Sequence, residues 1–251
     1  MVTKEPPSAT KAERIELPKN ASVDDAIGVV FAACLRHWTA NEAAALSGLD
    51  PEGVHEIRVA LRRMRAALSD LQEIIPVGQI SWLRRETKWL ITSLAGARDW
   101  DVFLSELLAP VEAARRGDTG LAELRMAAEA EKQMGYAEAR RAIDSPRYAE
   151  LVARMRGWLS EKRWRQGSNG RKKSLDGSAA KLAGRLLAKR HKAVLKLGRD
   201  FEQLSPQERH RLRIALKKLR YTAEFFRSLY QKKREQFIFT CSLSCRTASV
   251  T

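Results

Sequence analysis

The sequence predicts an all-α protein made of two homologous helical units in tandem, and three observations carry that expectation. Apolar residues recur at helical spacing through most of 23–230. No segment before about residue 235 alternates as a half-buried strand does. One eleven-residue helical pattern occurs twice, 155 residues apart.

Taken in order, residues 1–20 hold three prolines and mixed charge and read as a disordered lead-in. An Ala-rich helix is expected over 23–47, with Ser22 or Asp24 near its start. Asp50-Pro51 opens a second helix, because Asp caps free amides and Pro is tolerated at the first helical position. That helix runs to about Ile75, before Pro76. A third spans 79–108, stopping before Pro110, with Gly96 a candidate break. Two more follow over 119–143 and 146–165. The polar run GSNGRKKSLDGSAA reads as a linker, and long helices resume over 179–204 and 206–230. The expected organisation is a disordered segment (1–22), a first bundle (23–165), a flexible linker (166–178), a partial second bundle (179–230) and an atypical tail (231–251).

The repeat is the most informative feature. His55-Glu-Ile-Arg58-Val-Ala-Leu-Arg62-Arg63-Met-Arg65 returns as His210-Arg-Leu-Arg213-Ile-Ala-Leu-Lys217-Lys218-Leu-Arg220. Five of the eleven positions are identical and five conservative, so only Glu56 against Arg211 departs. The helix start is repeated too, since Asp50-Pro51 maps onto Ser205-Pro206, and Ser205 with Glu208 spells a capping box. At about 100° per residue, His55, Arg58, Arg62 and Arg65 share an arc of roughly 80°. Ile57, Ala60, Leu61, Met64, Leu68 and Leu71 gather opposite them. His210, Arg213, Lys217 and Arg220 repeat the division.

A second stripe precedes the second copy. Lys181, Arg185, Lys189, Lys192, Lys196 and Arg199 also fall within roughly 80°. Arg84, Lys88 and Arg98 form a weaker stripe that Ile91 interrupts. Solvated faces normally mix signs, because Glu–Lys pairs stabilise a helix, whereas these arcs hold almost no acids. With 46 Lys+Arg against 30 Asp+Glu and a formal charge of +16, they point to a polyanionic partner. Arginine suits phosphate through its planar fork.

Other chemistries find little support. No P-loop, GxSxG, zinc or dinucleotide signature occurs, and Cys34, Cys241 and Cys245 give neither a disulfide framework nor a paired metal site. For His55 and His210 three readings compete: a helix-start contact, a pH-sensitive phosphate contact, or a metal ligand, the last without a second His at i+4. In Leu94-Ala-Gly-Ala-Arg98-Asp99-Trp-Asp101-Val102, an ion pair of Arg98 with Asp99 or Asp101 is preferred to acid–base work. Trp82, Trp89 and Trp100 lie opposite Arg84 and Lys88 and read as core, which counts against base stacking on single-stranded nucleic acid. The first residues lack a secretory h-region, and the longest apolar run, Ala26 to Leu35, is too short to span a bilayer. A soluble cytoplasmic protein is expected.

Through the two His motifs and the Leu94–Val102 motif, the chain resembles the CHAD family, the conserved histidine α-helical domain, over about residues 23–230. The resemblance implies two four-helix bundles related by a pseudo-twofold axis, with basic residues lining a central groove. It implies binding of inorganic polyphosphate and association with polyphosphate granules. His55, Arg58, Arg62, Arg65, Lys88, Arg98, His210, Arg213, Lys217 and Arg220 correspond to the family's basic face. Family members often accompany a triphosphate tunnel domain; none precedes the motif, so a stand-alone copy is expected. Adding 155 to Arg98 and Asp101 passes Thr251, and 236–251 shows no helical stripe. The second bundle is therefore expected to lack a helix, through truncation or an altered reading frame, with a dimer as one way to cover the exposed surface. The expected function is non-catalytic polyphosphate binding through these residues together with Arg84, Lys181, Arg185, Lys189, Lys192 and Lys196. Neither metal nor cofactor is expected, and RNA or DNA is the second choice of partner.

Overall fold

In a computed structural model, the structure describes residues 6–166 and 172–230. The expectations for the tail over 231–251 lie outside the described residues. Among the described residues there is no strand, only an isolated bridge between Ser22 and Ser178. The helices are α1 (Val23–Thr39), α2 (Glu42–Ser47), α3 (Pro51–Asp70), α4 (Val77–Ser93), α5 (Ala95–Val102), α6 (Ala109–Ala114), α7 (Thr119–Ile143), α8 (Pro146–Ser160), α9 (Lys172–Leu175), α10 (Ala179–Leu197) and α11 (Pro206–Phe226). The all-α expectation holds.

Several boundaries move. The helix expected over 23–47 breaks at Asn41, whose side chain donates to the His37 carbonyl and to Thr10, spending itself on backbone rather than on a continuous ladder. The helix expected over 79–108 breaks at Leu94, not Gly96, and does not stop before Pro110. It widens into a π-helical segment, Phe103–Leu108, and continues as α6 with Pro110 near the junction.

The chain divides into two units that interleave rather than follow the expected 23–165 and 179–230 division. One comprises 1–12, 34–62 and 78–161, the other 13–33, 63–77 and 162–251. Residues 6–22 are also ordered, contrary to expectation: Ala9 N–H donates to Asp50, Thr10 N–H donates to Asn41, and Ile15 and Leu17 are buried. Few but well-placed apolar side chains outweigh the polar composition of this stretch. In the expected linker, Val23 N–H donates to the Gly177 carbonyl and Ala179 N–H to that of Ala21, so its end is tied down.

In the first unit, helix backbones meet directly at glycines. A Cβ on Gly135 of α7 would lie 2.6 Å from Ala97 N and Gly96 C of α5, and one on Gly53 of α3 would lie 2.6 Å from Ala45 N of α2. Beside the α5–α7 crossing, Tyr136 Oη donates to buried Asp101 at 2.8 Å and Lys132 Nζ lies 3.3 Å from its other oxygen. Burial first, then Asp101, pushes the Tyr136 hydroxyl pKa up. On α4, Trp82 and Trp89 are half-buried rather than core, and Arg154 and Arg147 of α8 cover their rings at 4.1 and 4.2 Å. Trp100 is likewise half-buried, against Phe103. An indole packed under a guanidinium satisfies the apolar pattern without being interior.

In the second unit, Asp24 accepts from Lys162, Trp164 and Arg165 at 2.7–2.8 Å. Burial raises its pKa, but these three hydrogen bonds together outweigh that and leave it lowered. Asp70, at the end of α3, accepts from Arg190 of α10 at 2.8 Å and from Thr222 of α11 at 2.6 Å. The Ser205–Glu208 capping box forms as spelled.

Gly135→Ala is expected to destabilise the protein by about 1–3 kcal/mol, because backbone rather than a flexible side chain occupies the space. Gly184→Ala, inside α10 with open space around it, is expected to stabilise by about 0.5–1 kcal/mol. Denaturant midpoints of the two variants check both signs.

Candidate anion-binding faces

In the first unit α3, α4 and α5 bring four predicted residues together. The close approach of Gly53 to α2 fixes the start of α3, and two residues later His55 projects from its first turns, half-buried. Burial, then the neighbouring Arg98 charge, lowers the His55 pKa, with Arg62 acting in the same direction. Arg58 Nη1 donates to the Ile91 carbonyl at 2.9 Å, and Nη2 lies 3.9 Å from Asp99. Burial lowers the Arg58 pKa too; Asp99 opposes the shift, and Arg62 and Arg98 add to it. Arg62 Nε is buried without a hydrogen-bond partner. The α5–α7 crossing at Gly96 and Ala97 immediately precedes and sets Arg98, whose nitrogens lie 3.6 Å from Glu52 and 3.7 Å from Glu106.

The preferred Arg98–Asp99 or Arg98–Asp101 pair is therefore not the one formed. Asp99 turns to Arg58, and Asp101 is held in the interior by Tyr136 and Lys132. Arg84 is half-buried and Lys88 exposed on α4. Sequence reasoning missed Glu52 and Glu106 as carboxylate partners. It also missed His37, whose Nε2 lies 2.8 Å from buried Glu56, the repeat's one departing position. The spacing of Glu52 three residues before His55 was the available signal for the first. No local spacing links Arg98 to Glu106 or His37 to Glu56 in a way that stands out.

Glu52, His55 and Glu56 offer three donor atoms within 4.8 Å of one another. Glu56 is engaged by His37, and Arg98 stands beside Glu52. A cation entering there would meet Arg58, Arg62 and Arg98, whose charges oppose it. The chemistry of this cluster favours an anion.

In the second unit, His210, Arg213 and Lys217 are exposed along α11, while Arg220 is half-buried, 3.4 Å from Glu224 and beside the Tyr221 ring. Arg65, on the C-terminal half of α3, also belongs to this unit and is half-buried. Lys181, Arg185, Lys189, Lys192 and Lys196 are exposed on α10, and Arg199 is exposed just after it. Lys189 pairs with Glu73 at 3.0 Å. Arg63, outside every predicted stripe, is buried over the Phe225 ring, with Nε and Nη1 lacking hydrogen-bond partners. The expected residues form one cluster in the first unit and lie along two exposed basic helices in the second.

Comparison with known proteins bears on this arrangement. The model of the CHAD domain matches residues 29–241. The crystal structure of the CHAD domain from the plant Ricinus communis is similar at 32% identity and a TM-score of 0.79, covering 94% of this chain and 76% of that one. PptA from Streptomyces chartreusis shares the fold at 16% identity and a TM-score of 0.64, over 84% of this chain and 77% of that one. No curated protein matches. No described helix is long and apolar enough to cross a membrane. The two His motifs, the all-α architecture and the match over most of its length place this chain in the CHAD family.

Proposed function

We propose that the protein binds inorganic polyphosphate through these basic faces, without chemistry of its own. The observation that carries the reading is the first-unit cluster. Arg58 and His55 sit where burial and neighbouring cations disfavour their charged forms, and Arg62 Nε is buried without a hydrogen-bond partner. Like charges held together on rigid helices are relieved by a multivalent anion. The lowered basicity is a cost that only a bound anion returns. Membership of a family with polyphosphate-related roles supports phosphate as that anion. A linear polymer suits charges spread along helices better than a compact metabolite does.

Nucleic acid is the competing ligand for the same charges. The half-exposed indoles of Trp82 and Trp89 lie on the opposite side of α4 from Arg84 and Lys88 and carry arginines on their rings, so they offer no stacking platform beside the basic stripe.

Replacing Arg58, Arg62, Arg213 and Arg220 together by Ala is expected to weaken polyphosphate binding at least about a hundredfold, at roughly 1.5 kcal/mol or more per charge-assisted contact. Helicity by circular dichroism should be retained. The slope of log affinity against log salt should fall by about 3, four contacts at roughly 0.7–0.9 each. Titration with length-fractionated polyphosphate in the presence of excess RNA tests the ligand: easy displacement by RNA reassigns the faces to nucleic acid.

Because its pKa is lowered in the free protein, His55 is uncharged at neutral pH, and a polyanion beside it favours the imidazolium. Binding is therefore expected to take up a proton and to strengthen as pH falls below about 6.5. Without ligand the sign reverses: a depressed folded pKa makes His55 contribute stability above the unfolded value that is lost as pH falls. Titration heats in buffers of different ionisation enthalpy, with His55→Gln as the control, read the proton uptake.

A further inference from the structure

The outward side of α7 takes no part in the basic faces and carries a pattern of its own. The inner side of this helix, with Ala128, Gly135, Tyr136 and Ala139, is buried in the first unit. Roughly opposite, at about 100° per residue, lies an arc holding Glu123, Ala127, Ala130, Met134, Ala137 and Arg141, with Met126 at its edge. All of these are exposed except Ala137, which is half-buried. Met126 is 74% exposed and Met134 57%, so the apolar stripe faces solvent. Helix sides turned to solvent ordinarily carry charged and polar residues. Between Glu123 and Glu138 this arc carries no charge.

The spacing is that of a single heptad frame. Ala127 and Met134 take a positions, Ala130 and Ala137 take d positions, and Glu123 and Arg141 continue the frame as d and a. Two α7 helices paired antiparallel about residue 132 set Ala127 against Ala137, Ala130 against Met134 and Glu123 against Arg141. Every a position then meets a d position. The flexible thioether of Met134 fills the space that the small Ala130 leaves. The Glu123–Arg141 pairs close the two ends, about 27 Å apart along the helix at 1.5 Å per residue. A parallel pairing would instead oppose Glu123 to Glu123 and Arg141 to Arg141 and align the two helix dipoles. Within the chain, the ion pairs of α7 are those of Arg125 with Glu112 and Glu129 and of Lys132 with Asp101. Among the described residues, Glu123 and Arg141 take part in none.

Charge also favours this part of the molecule for self-contact. With a formal charge of +16, two copies repel each other over most of their surface. Residues 103–138 carry seven acids against four bases, so α7 and the segment leading into it are locally acidic.

We propose that α7 is a dimerisation element, and that its occupant is the α7 of a second copy, antiparallel about a twofold axis near residue 132. A two-helix contact of this length buries less than the roughly 1,200 Å² of a stable interface. The dimer therefore forms at tens of micromolar protein and above and exchanges with monomer. The proposal is independent of the polyphosphate reading, because the stripe contains none of the residues assigned to the basic faces.

The test is sedimentation equilibrium of the full chain over a concentration series, without polyphosphate and in moderate salt. Wild type is expected to show a monomer–dimer equilibrium. Ala130→Glu, which sets an unpaired charge in the middle of the contact, is expected to raise the dimer dissociation constant at least about tenfold. Should that variant lose helicity, Met134→Lys at its more exposed neighbour is expected to do the same. Glu123→Arg alone and Arg141→Glu alone are each expected to weaken the dimer about fivefold, through like charges at both ends. The two together restore the pairing with reversed sign, and affinity is expected to return to within about twofold of wild type. Because residues 123 and 141 lie far apart on one helix, that rescue reads a contact between copies. Wild type that stays monomeric at several hundred micromolar overturns the proposal and leaves the stripe to another occupant. A dimer unmoved by folded Ala130→Glu or Met134→Lys lies elsewhere on the molecule and overturns it too. Failure of the double charge reversal to recover what the single ones lose overturns the antiparallel pairing.

Discussion

The burial of one side of α3 is what allows its other side to be cationic. Val54, Ile57, Leu61, Met64 and Leu68 have no exposed surface. Each buried side chain of this size contributes roughly 1.5–3 kcal/mol. The repulsion between like charges at i, i+3 and i+4 on the opposite arc costs only about 0.2–0.5 kcal/mol per pair. The apolar side wins by a wide margin, so the helix forms without needing its charges satisfied. The basic arc runs along the helix from His55 to Arg65.

The second copy obeys the same division with less burial. Leu212 is buried, but Leu216 and Leu219, counterparts of fully buried Leu61 and Met64, are only half-buried, and Ile214 is exposed. Correspondingly His210, Arg213 and Lys217 are exposed where His55, Arg58 and Arg62 are half-buried. Half-burial gives the first copy its depressed His55 and Arg58 pKa values and its backbone anchor at Ile91. The second copy's cations face solvent. The equivalent charges are thus presented in two ways, one stiff and partly desolvated, the other open.

What the sequence revealed follows from what has a period. The 3.6-residue spacing marked α3, α7, α10 and α11, and the repeat marked the paired His helices, because burial imposes those patterns locally. Capping at Ser205 was legible for the same reason. The break at Leu94, the π-helical turn over 103–108 and the interleaving of the two units have no local signature: they depend on which helix meets which. Trp82 and Trp89 show the limit most plainly. Their azimuth was right, but the side opposite the cations turned out to be a surface roofed by Arg147 and Arg154 from α8, residues no local pattern connects to them. The partners of Arg98 were misassigned because adjacency in sequence favoured Asp99 and Asp101, while the crossing at Gly135 draws Asp101 inward to Tyr136.

The acids around the first-unit cluster raise the question of whether they compete with a phosphate ligand. Glu52, Asp99 and Glu106 approach Arg98 and Arg58 at 3.6–3.9 Å, beyond hydrogen-bonding distance, and their own side chains are largely exposed. Exposed pairs of this kind contribute about 0–1 kcal/mol. A charge-assisted hydrogen bond from arginine to a phosphate oxygen contributes roughly 1.5–3 kcal/mol. Exchange of partners therefore runs towards the ligand. Until it does, the carboxylates limit the rotamers available to Arg98 and Arg58, lowering the entropy lost when a ligand fixes them. The contact that binding need not break is the one between Arg58 and the Ile91 carbonyl: it uses a single Nη1 proton and leaves the rest of the fork available. The same acids that dilute the charge of the cluster thus orient it.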